Sequence, residues 1–543
     1  MPVQMAPECI QVEKLFTTNW TDFVLLLDVN ISHVIINSII KGKEPCIDLH
    51  IYDLEKAFDA LWLEECMNDV FDSLSEENKD EKVALLYESN KKNLVAVTTA
   101  VGLTERINIP NIVQQGGTWG PSLCSNSVDT IGKKLMNRGE ISYLYKNTVR
   151  VMPLAMVDDI NAISRCGLDS IALNTYINTQ IELKKLRFHV PDMNGKSKCH
   201  KMHVGDHKGT CPVLKVHGTV MESVTEDSYL GDILSSDGKN KKNVEKRISK
   251  GLGIISQIMN LLGMISFGHH YIEIALLLRE SLFINGTLNN VEVWYGLTKA
   301  EMAEFEDLDR LLLRKVLQAQ FSTPQEAFHL ELGIVPISVL IKARRINFLH
   351  YLLRRNEQEM LHQFFITQLN NPTRGDWTET VKEDLENFGI PMNKEYIKSK
   401  SKDAFKRLVK VKAQEYALKS LLKKKENHSK MSKLTYTELK LQSYFSIPGI
   451  NIQQVRNIFK FRVNMAQVGE NFRGQAARVG CPLCSNHLDN QAMLFQCEVI
   501  REKVDIKCSL EDVYKDEVTI EVVEEITEIL NTREKLIEEM KRK

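Results

Sequence analysis

TVRVMPLAMVDDINAIS, residues 148–164, sets two adjacent acids between two short apolar runs. The pattern predicts a β-hairpin with Asp158 and Asp159 at its turn. A second stretch, IDLHIYD at residues 47–53, alternates Ile, Leu and Ile on one side and ends in Asp53. That is the period of a half-buried strand. Acids at the ends of neighbouring strands suit divalent cations, because magnesium takes oxygen ligands and keeps several waters, so two or three carboxylates suffice. An Asp-Asp pair is also ordinary turn chemistry, and alone it decides nothing.

Outward from these strands, residues 54–70 read as a helix with Phe58, Leu61, Trp62 and Met67 near one face. Residues 33–40 read as a short amphipathic helix and residues 169–186 as another helix. Residues 213–233 read as a second pair of strands around His217-Gly218. From Asn243 the spacing turns helical, with Val244, Ile248, Ile255, Ile258 and Leu262 on one stripe. Residues 394–433 are rich in lysine and poor in acids, which fits either a cationic helix stripe or a solvated linker. The tail from Glu511 is acidic and helix-prone; its partner, the lysine stretch or another molecule, is left open by the sequence. Mixed strands and helices followed by helices predict an α+β domain and then an α domain.

A chain of 543 residues exceeds the roughly 250–300 at which a single core stops growing, so two or more domains are expected. The formal net charge is −1, without the overall basic excess common in nucleic-acid enzymes, but the charge is unevenly spread. The opening MPVQMAPECIQVEKLF lacks the pattern of a secretory signal, and the most apolar run, IALLLRESLFING, is broken by Arg279 and Glu280. The 11 cysteines are scattered, which fits free thiols in a reducing compartment. The expectation is an intracellular protein, cytoplasmic or nuclear, with no membrane partner.

Five stretches taken together resemble the ordered motifs A to E of reverse transcriptases from non-LTR retrotransposons. They are IYDLEKAFDALW, QQGGTWGPSLCSN, LAMVDDINAIS, KSKCHKMHVG and YLGDILSSDGK. The resemblance runs from about Asn30 to Cys497, within the group of such elements whose third motif reads Met-Val-Asp-Asp. It implies a right-hand polymerase palm with an antiparallel sheet, followed by an α-helical thumb and a helical C-terminal region. The implied layout is a fingers remnant at 1–45, the palm at 46–235, and the thumb with its extension at 236–390. A basic helical segment at 391–470, a degenerate zinc-knuckle-like segment at 471–510 and an acidic helical tail at 511–543 follow. The implied activity is RNA-directed DNA synthesis from a primer hydroxyl, with RNA template, DNA primer and deoxynucleotides as partners and two Mg2+ ions as cofactors. Asp53, Asp158 and Asp159 match the family's metal-binding acids, with Asp53 and Asp158 the direct ligands. Phe58 falls at its steric gate, where a ring would select against a ribose 2′-hydroxyl. Gln115, Gly116 and Gly117 match its nucleotide-binding turn. Lys198 matches a lysine that protonates pyrophosphate. Lys242, Lys246, Arg247 and Lys250 fall where the thumb meets template and primer.

The chain also departs from the family. The resemblance leads one to expect a basic fingers region before the first motif and an endonuclease domain further upstream, and residues 1–45 carry no counterpart of either. Weak extension, or a nucleic-acid-binding remnant without synthesis, is therefore the alternative expectation. Near the end, CPLCSNHLDNQAMLFQC supplies Cys481, Cys484 and Cys497. Related elements carry a zinc knuckle whose histidine position is Met493 here, and a thioether is a poor zinc ligand. A rewired Zn2+ site completed by His487 or Cys508, neither at the family spacing, and a knuckle that has lost its metal both remain open.

Overall fold

Five strands form the main sheet: β1 (Ile47–Asp53), β2 (Leu154–Met156), β3 (Asp159–Arg165), β4 (His200–Val204) and β5 (Glu222–Val224). Their order is β5-β4-β1-β3-β2, antiparallel at every pairing except the parallel β4–β5. The computed structural model describes residues 21–41, 45–73, 79–91, 94–96, 98–99, 102–108, 113, 120–136, 138, 141–151, 153–156, 158–190, 197–206, 212–265, 268–472 and 480–542. The chain divides into two compact units. One comprises residues 1–242, 293–296 and 354–380; the other comprises 243–292, 297–353 and 381–543. The fold is thus mixed α+β, with a small, mostly antiparallel sheet.

β1 is central and buried on both faces, not half-buried as its alternation predicts. Asp48, His50 and Tyr52, the polar side of that alternation, are all inaccessible to solvent. His50 and Tyr52 tolerate this because each finds a polar partner. His50 Nε2 lies 2.9 Å from Ser164 Oγ, and Tyr52 donates its hydroxyl to Asn174 Oδ1 at 2.9 Å. Burial pushes His50 down to about 4, so it stays neutral there. The opposite face meets helix α1 (Thr21–Ile40), where Asn161 on β3 donates to Ser32 Oγ at 2.8 Å. The described part of α1 is buried nearly all round and is not amphipathic as the sequence reading of 33–40 expects, because it lies against β2, β4 and a hairpin. That hairpin is β6 (Glu226–Tyr229) with β7 (Asp232–Ser235), joined through Leu230 and Gly231, both at positive φ.

The single helix expected at 54–70 is two pieces, Ala57–Ala60 and α2 (Leu63–Ser73). Lys56 in the left-handed region and Leu61 in extended conformation frame the first piece. The break turns Trp62 outward, 46% exposed, under the Lys185 ammonium at 4.3 Å from its ring centre. Helix α3 (Leu168–Leu183) covers the polar face of β1. The later segments of this unit close it: Trp294 Nε1 donates to Asp232 Oδ2 at 2.6 Å, and Phe364 stacks on Tyr145 at 4.3 Å.

The second unit is helical. α4 (Lys241–Leu262) enters it, and Val244, Gly251, Ile255, Ile258 and Leu262 form its buried stripe. α5 (Lys299–Leu317) begins at a reciprocal cap between Thr298 and Glu301. Glu331 on α6 (Gln325–Leu332) is fully buried and accepts from Arg462 Nε at 2.9 Å and from the hydroxyls of Tyr436 and Tyr444. Helix α7 (Lys402–Lys425) packs against α6 and bears the lysine run. Arg462, the last residue of α8 (Ile452–Arg462), also donates to the carbonyls of Val513 and Lys515. The acidic tail is α9 (Ile520–Arg542); it packs on α8 through Val523, Ile526 and Ile529, and its Arg533 pairs with Asp489 at 2.7 Å. Its apolar stripe is therefore covered within the chain.

Removing one member of a buried ion pair strands the other in low dielectric. Arg462→Met should lower unfolding free energy by about 3–5 kcal/mol, and Arg462→Met with Glu331→Leu should recover much of it. Urea denaturation followed by circular dichroism checks this; equal losses in single and double variants would refute the pairing.

Candidate active site

The β1–β3 register sets Asp53 directly opposite Asp159. Asp159 also pairs with Met156 on β2, which leaves Asp158 in the tight turn between these strands. That turn is tied to the end of β1, since the Leu54 amide donates to the Asp158 carbonyl at 3.0 Å. All three acids thus meet at one end of the central strands, as the pattern predicts. Lys198 joins them: its Nζ lies 3.3 Å from both carboxylate oxygens of Asp53.

The electrostatics are strained in one direction. Burial, then the charges of Asp158 and Asp53, push Asp159 up to about 6, partly countered by Lys198. Two residues outside the sequence reading contribute. Asp227 on β6 adds negative charge near Asp159 and holds His200 above the usual imidazole range through a hydrogen bond to Nδ1. His200 is the register partner of Ile51 and lies two residues from Lys198. The period-2 reading of KSKCHKMHVG would have found His200; Asp227 comes from a separate hairpin and left no such signal.

Phe58 is partly buried against the core beneath β1 and α2. Gln115, Gly116 and Gly117 lie outside the described residues. On α4, Lys242, Lys246 and Lys250 are exposed, but Arg247 is 3% exposed and does not face solvent as expected. It follows Val244 by three residues and precedes Gly251 by four, which places it on the apolar stripe.

Cys481, Cys484 and Cys497 converge, with the sulfurs of Cys481 and Cys497 3.9 Å apart. Burial pushes Cys497 up to about 12. Against the cost of burial, hydrogen bonds from the Asn486 backbone and the neighbouring thiols hold Cys484 below the usual thiol range. The imidazole of His487 is not in this converging group; its carbonyl accepts from the Cys481 amide at 2.7 Å. No described helix is long and apolar enough to cross a membrane.

No family model and no curated protein matches the chain. Among solved structures it is similar to apo telomerase from Candida tropicalis, with TM-score 0.29 and 10% identity over 74% of this chain and 59% of that one. It is also similar to telomerase from Candida albicans in complex with a TWJ fragment of telomeric RNA, with TM-score 0.30 and 11% identity over 69% of this chain and 57% of that one. The chain spans a little over half the length of each. Likenesses this shallow assign neither fold nor activity.

Asp159 makes the stability of the metal-free protein depend on pH. Its folded value near 6 lies above the ordinary aspartate value of about 3.9, so the folded state holds the extra proton between them. Stability therefore falls as pH rises through that window. Asp159→Asn should gain roughly 1–2 kcal/mol over the parent at pH 7, after allowance for solvent screening, and little at pH 4. Denaturation in EDTA at both pH values measures this; a variant less stable at pH 7 would contradict it.

Proposed function

We propose that this chain is a reverse-transcriptase-like nucleotidyl transferase, with β1–β5 as the palm and α4 as the start of the thumb. The observation that carries the reading is the register of Asp53 against Asp159, with Asp158 in the adjoining turn and Lys198 on Asp53. The donor set fits divalent cations of the magnesium class, because it is all oxygen and because crowding the acids raises Asp159 until positive charge is supplied. Asp53 and Asp158 would be the direct ligands, with Asp159 nearer the primer end. Cations held there would supply activation of a primer 3′-hydroxyl and neutralisation of the departing pyrophosphate. Lys198, whose Nζ lies 3.3 Å from Asp53, would serve as the proton donor to pyrophosphate as the leaving charge develops. Phe58 is assigned to sugar selection and residues 115–117 to the nucleotide-binding turn. The thiols of Cys481, Cys484 and Cys497 suit zinc, since a tetrahedral site spaces its sulfurs by about 3.8 Å. Their fourth ligand lies outside the trio.

The partners implied are an RNA template, a DNA primer and deoxynucleotides. In primer extension on RNA with Mg2+ or Mn2+, the chain should extend slowly. Asp158→Ala should reduce the rate by on the order of a hundredfold or more while leaving hybrid binding intact. Hybrid binding with no extension by the parent chain would overturn the polymerase reading in favour of a binding protein.

The exposed lysines of α4 test nucleic-acid contact separately. Reversing Lys242, Lys246 and Lys250 to Glu should weaken hybrid binding and flatten its logarithmic salt slope by about 2–3. Arg247→Ala should instead lower stability. An unchanged salt slope in the triple variant, measured by fluorescence anisotropy, would remove α4 from the interface.

A further inference from the structure

A different set of ligand-type side chains meets at the end of β1 remote from Asp53. Asp48 on β1 and His203 on β4 are register partners, and Cys166 follows Arg165, the last residue of β3. His203 Nδ1 lies 2.9 Å from Asp48 Oδ1, and Cys166 Sγ lies 3.5 Å from that nitrogen and 3.9 Å from that oxygen. Zinc bonds of about 2.3 Å to sulfur and about 2.0–2.1 Å to nitrogen and oxygen, set tetrahedrally, space such ligands by about 3.3–3.6 Å. The three side chains already approximate one face of that tetrahedron.

Two further features call for a cation. His203 Nε2 bonds to the Gly205 carbonyl at 2.9 Å, so in the neutral ring the proton sits there and Nδ1 presents its lone pair. Nδ1 and the Asp48 carboxylate then face each other as two acceptors. Asp48 is fully buried, and its second oxygen, Oδ2, has no hydrogen-bond partner among the described residues. A second proton on His203 would relieve the first conflict. It would still leave Oδ2 unsatisfied. A divalent ion bound by a carboxylate, a thiolate and a neutral imidazole removes the clash of acceptors, sets positive charge beside the buried carboxylate and leaves no net charge there. The carbonyl that orients His203 is itself fixed, since Gly205 has φ 95° and a side chain there would strike Ile39 at 2.6 Å.

We propose that Asp48, Cys166 and His203 form a zinc site with three protein ligands. Solvent takes the fourth position, on the side where the His203 side chain keeps 25% exposure. Binding forms the Zn–S bond and releases the thiol proton to solvent. The ion ties β1, β3 and β4 together at the end opposite the acids.

The test uses the full chain, stripped with EDTA, re-equilibrated with zinc sulfate and desalted, with metal content read by mass spectrometry. Cys166→Ser with His203→Gln should lose about one zinc per chain, and Cys481→Ser with Cys484→Ser should retain that zinc. A measurement on the unaltered protein guards against misfolded variants. Zinc should slow alkylation of Cys166 by iodoacetamide severalfold, as read by peptide mapping. Equal alkylation of Cys166 with and without zinc, or unchanged zinc content in the Cys166/His203 variant, would overturn the proposal.

Discussion

The pairing of Asp53 with Asp159 across β1 and β3 is the constraint on which the rest of the candidate site depends. Like charges directly opposite on neighbouring strands are unfavourable, so the register must be held by something other than these two residues. Burial of β1 on both faces supplies it. A slip of one residue would carry Asp48, His50 and Tyr52 away from Ser164 and Asn174 and into the apolar contact with α1. The hydrogen bonds of the buried polar face therefore fix where the acids stand. The electrostatic strain they cannot remove remains as the raised Asp159.

The second unit solves a related problem with ion pairs. Arg279 meets Asp309, Arg345 meets Asp384 and Arg462 meets Glu331, each pair buried. Such pairs add little net stability over apolar substitutes, but each is costly to break. They make helix packing specific, because a shifted helix would leave a charge stranded. The Glu331 carboxylate collects Arg462, Tyr436 and Tyr444, and Arg462 reaches on to residues 513 and 515. One cluster thus gathers segments well separated in sequence.

The hairpin that carries Asp158 and Asp159 and the strand that ends in Asp53 were legible in the sequence because hairpin turns and period-2 alternation are local signals; Lys198 was named only through the resemblance of its stretch to a polymerase motif. What the sequence hid was tertiary. The polar side of IDLHIYD reads as solvent-facing until α3 is seen to cover it. Arg247 reads as a surface cation by type, yet its spacing from Val244 and Gly251 puts it on the buried stripe. Trp62 reads as core by type, but the extended Leu61 breaks the helix and turns it out under Lys185. Asp227 and His200 join the acids from separate strands, and Asp48, Cys166 and His203 lie far apart in the chain. Only the tertiary fold brings these side chains together.

The first unit is discontinuous in sequence, and this has a consequence for how it is made. Trp294 and Phe364 belong to its interior, but they are synthesised long after the strands they cover. A chain emerging from the ribosome would present Asp232 without its indole until Trp294 had cleared the exit, and Tyr145 without its stacking ring until Phe364 had done so. During that interval most of the second unit's early helices would also be waiting for residues 381–543. The nascent protein would thus carry two unfinished cores at once, a state in which exposed apolar surface invites chaperones or aggregation.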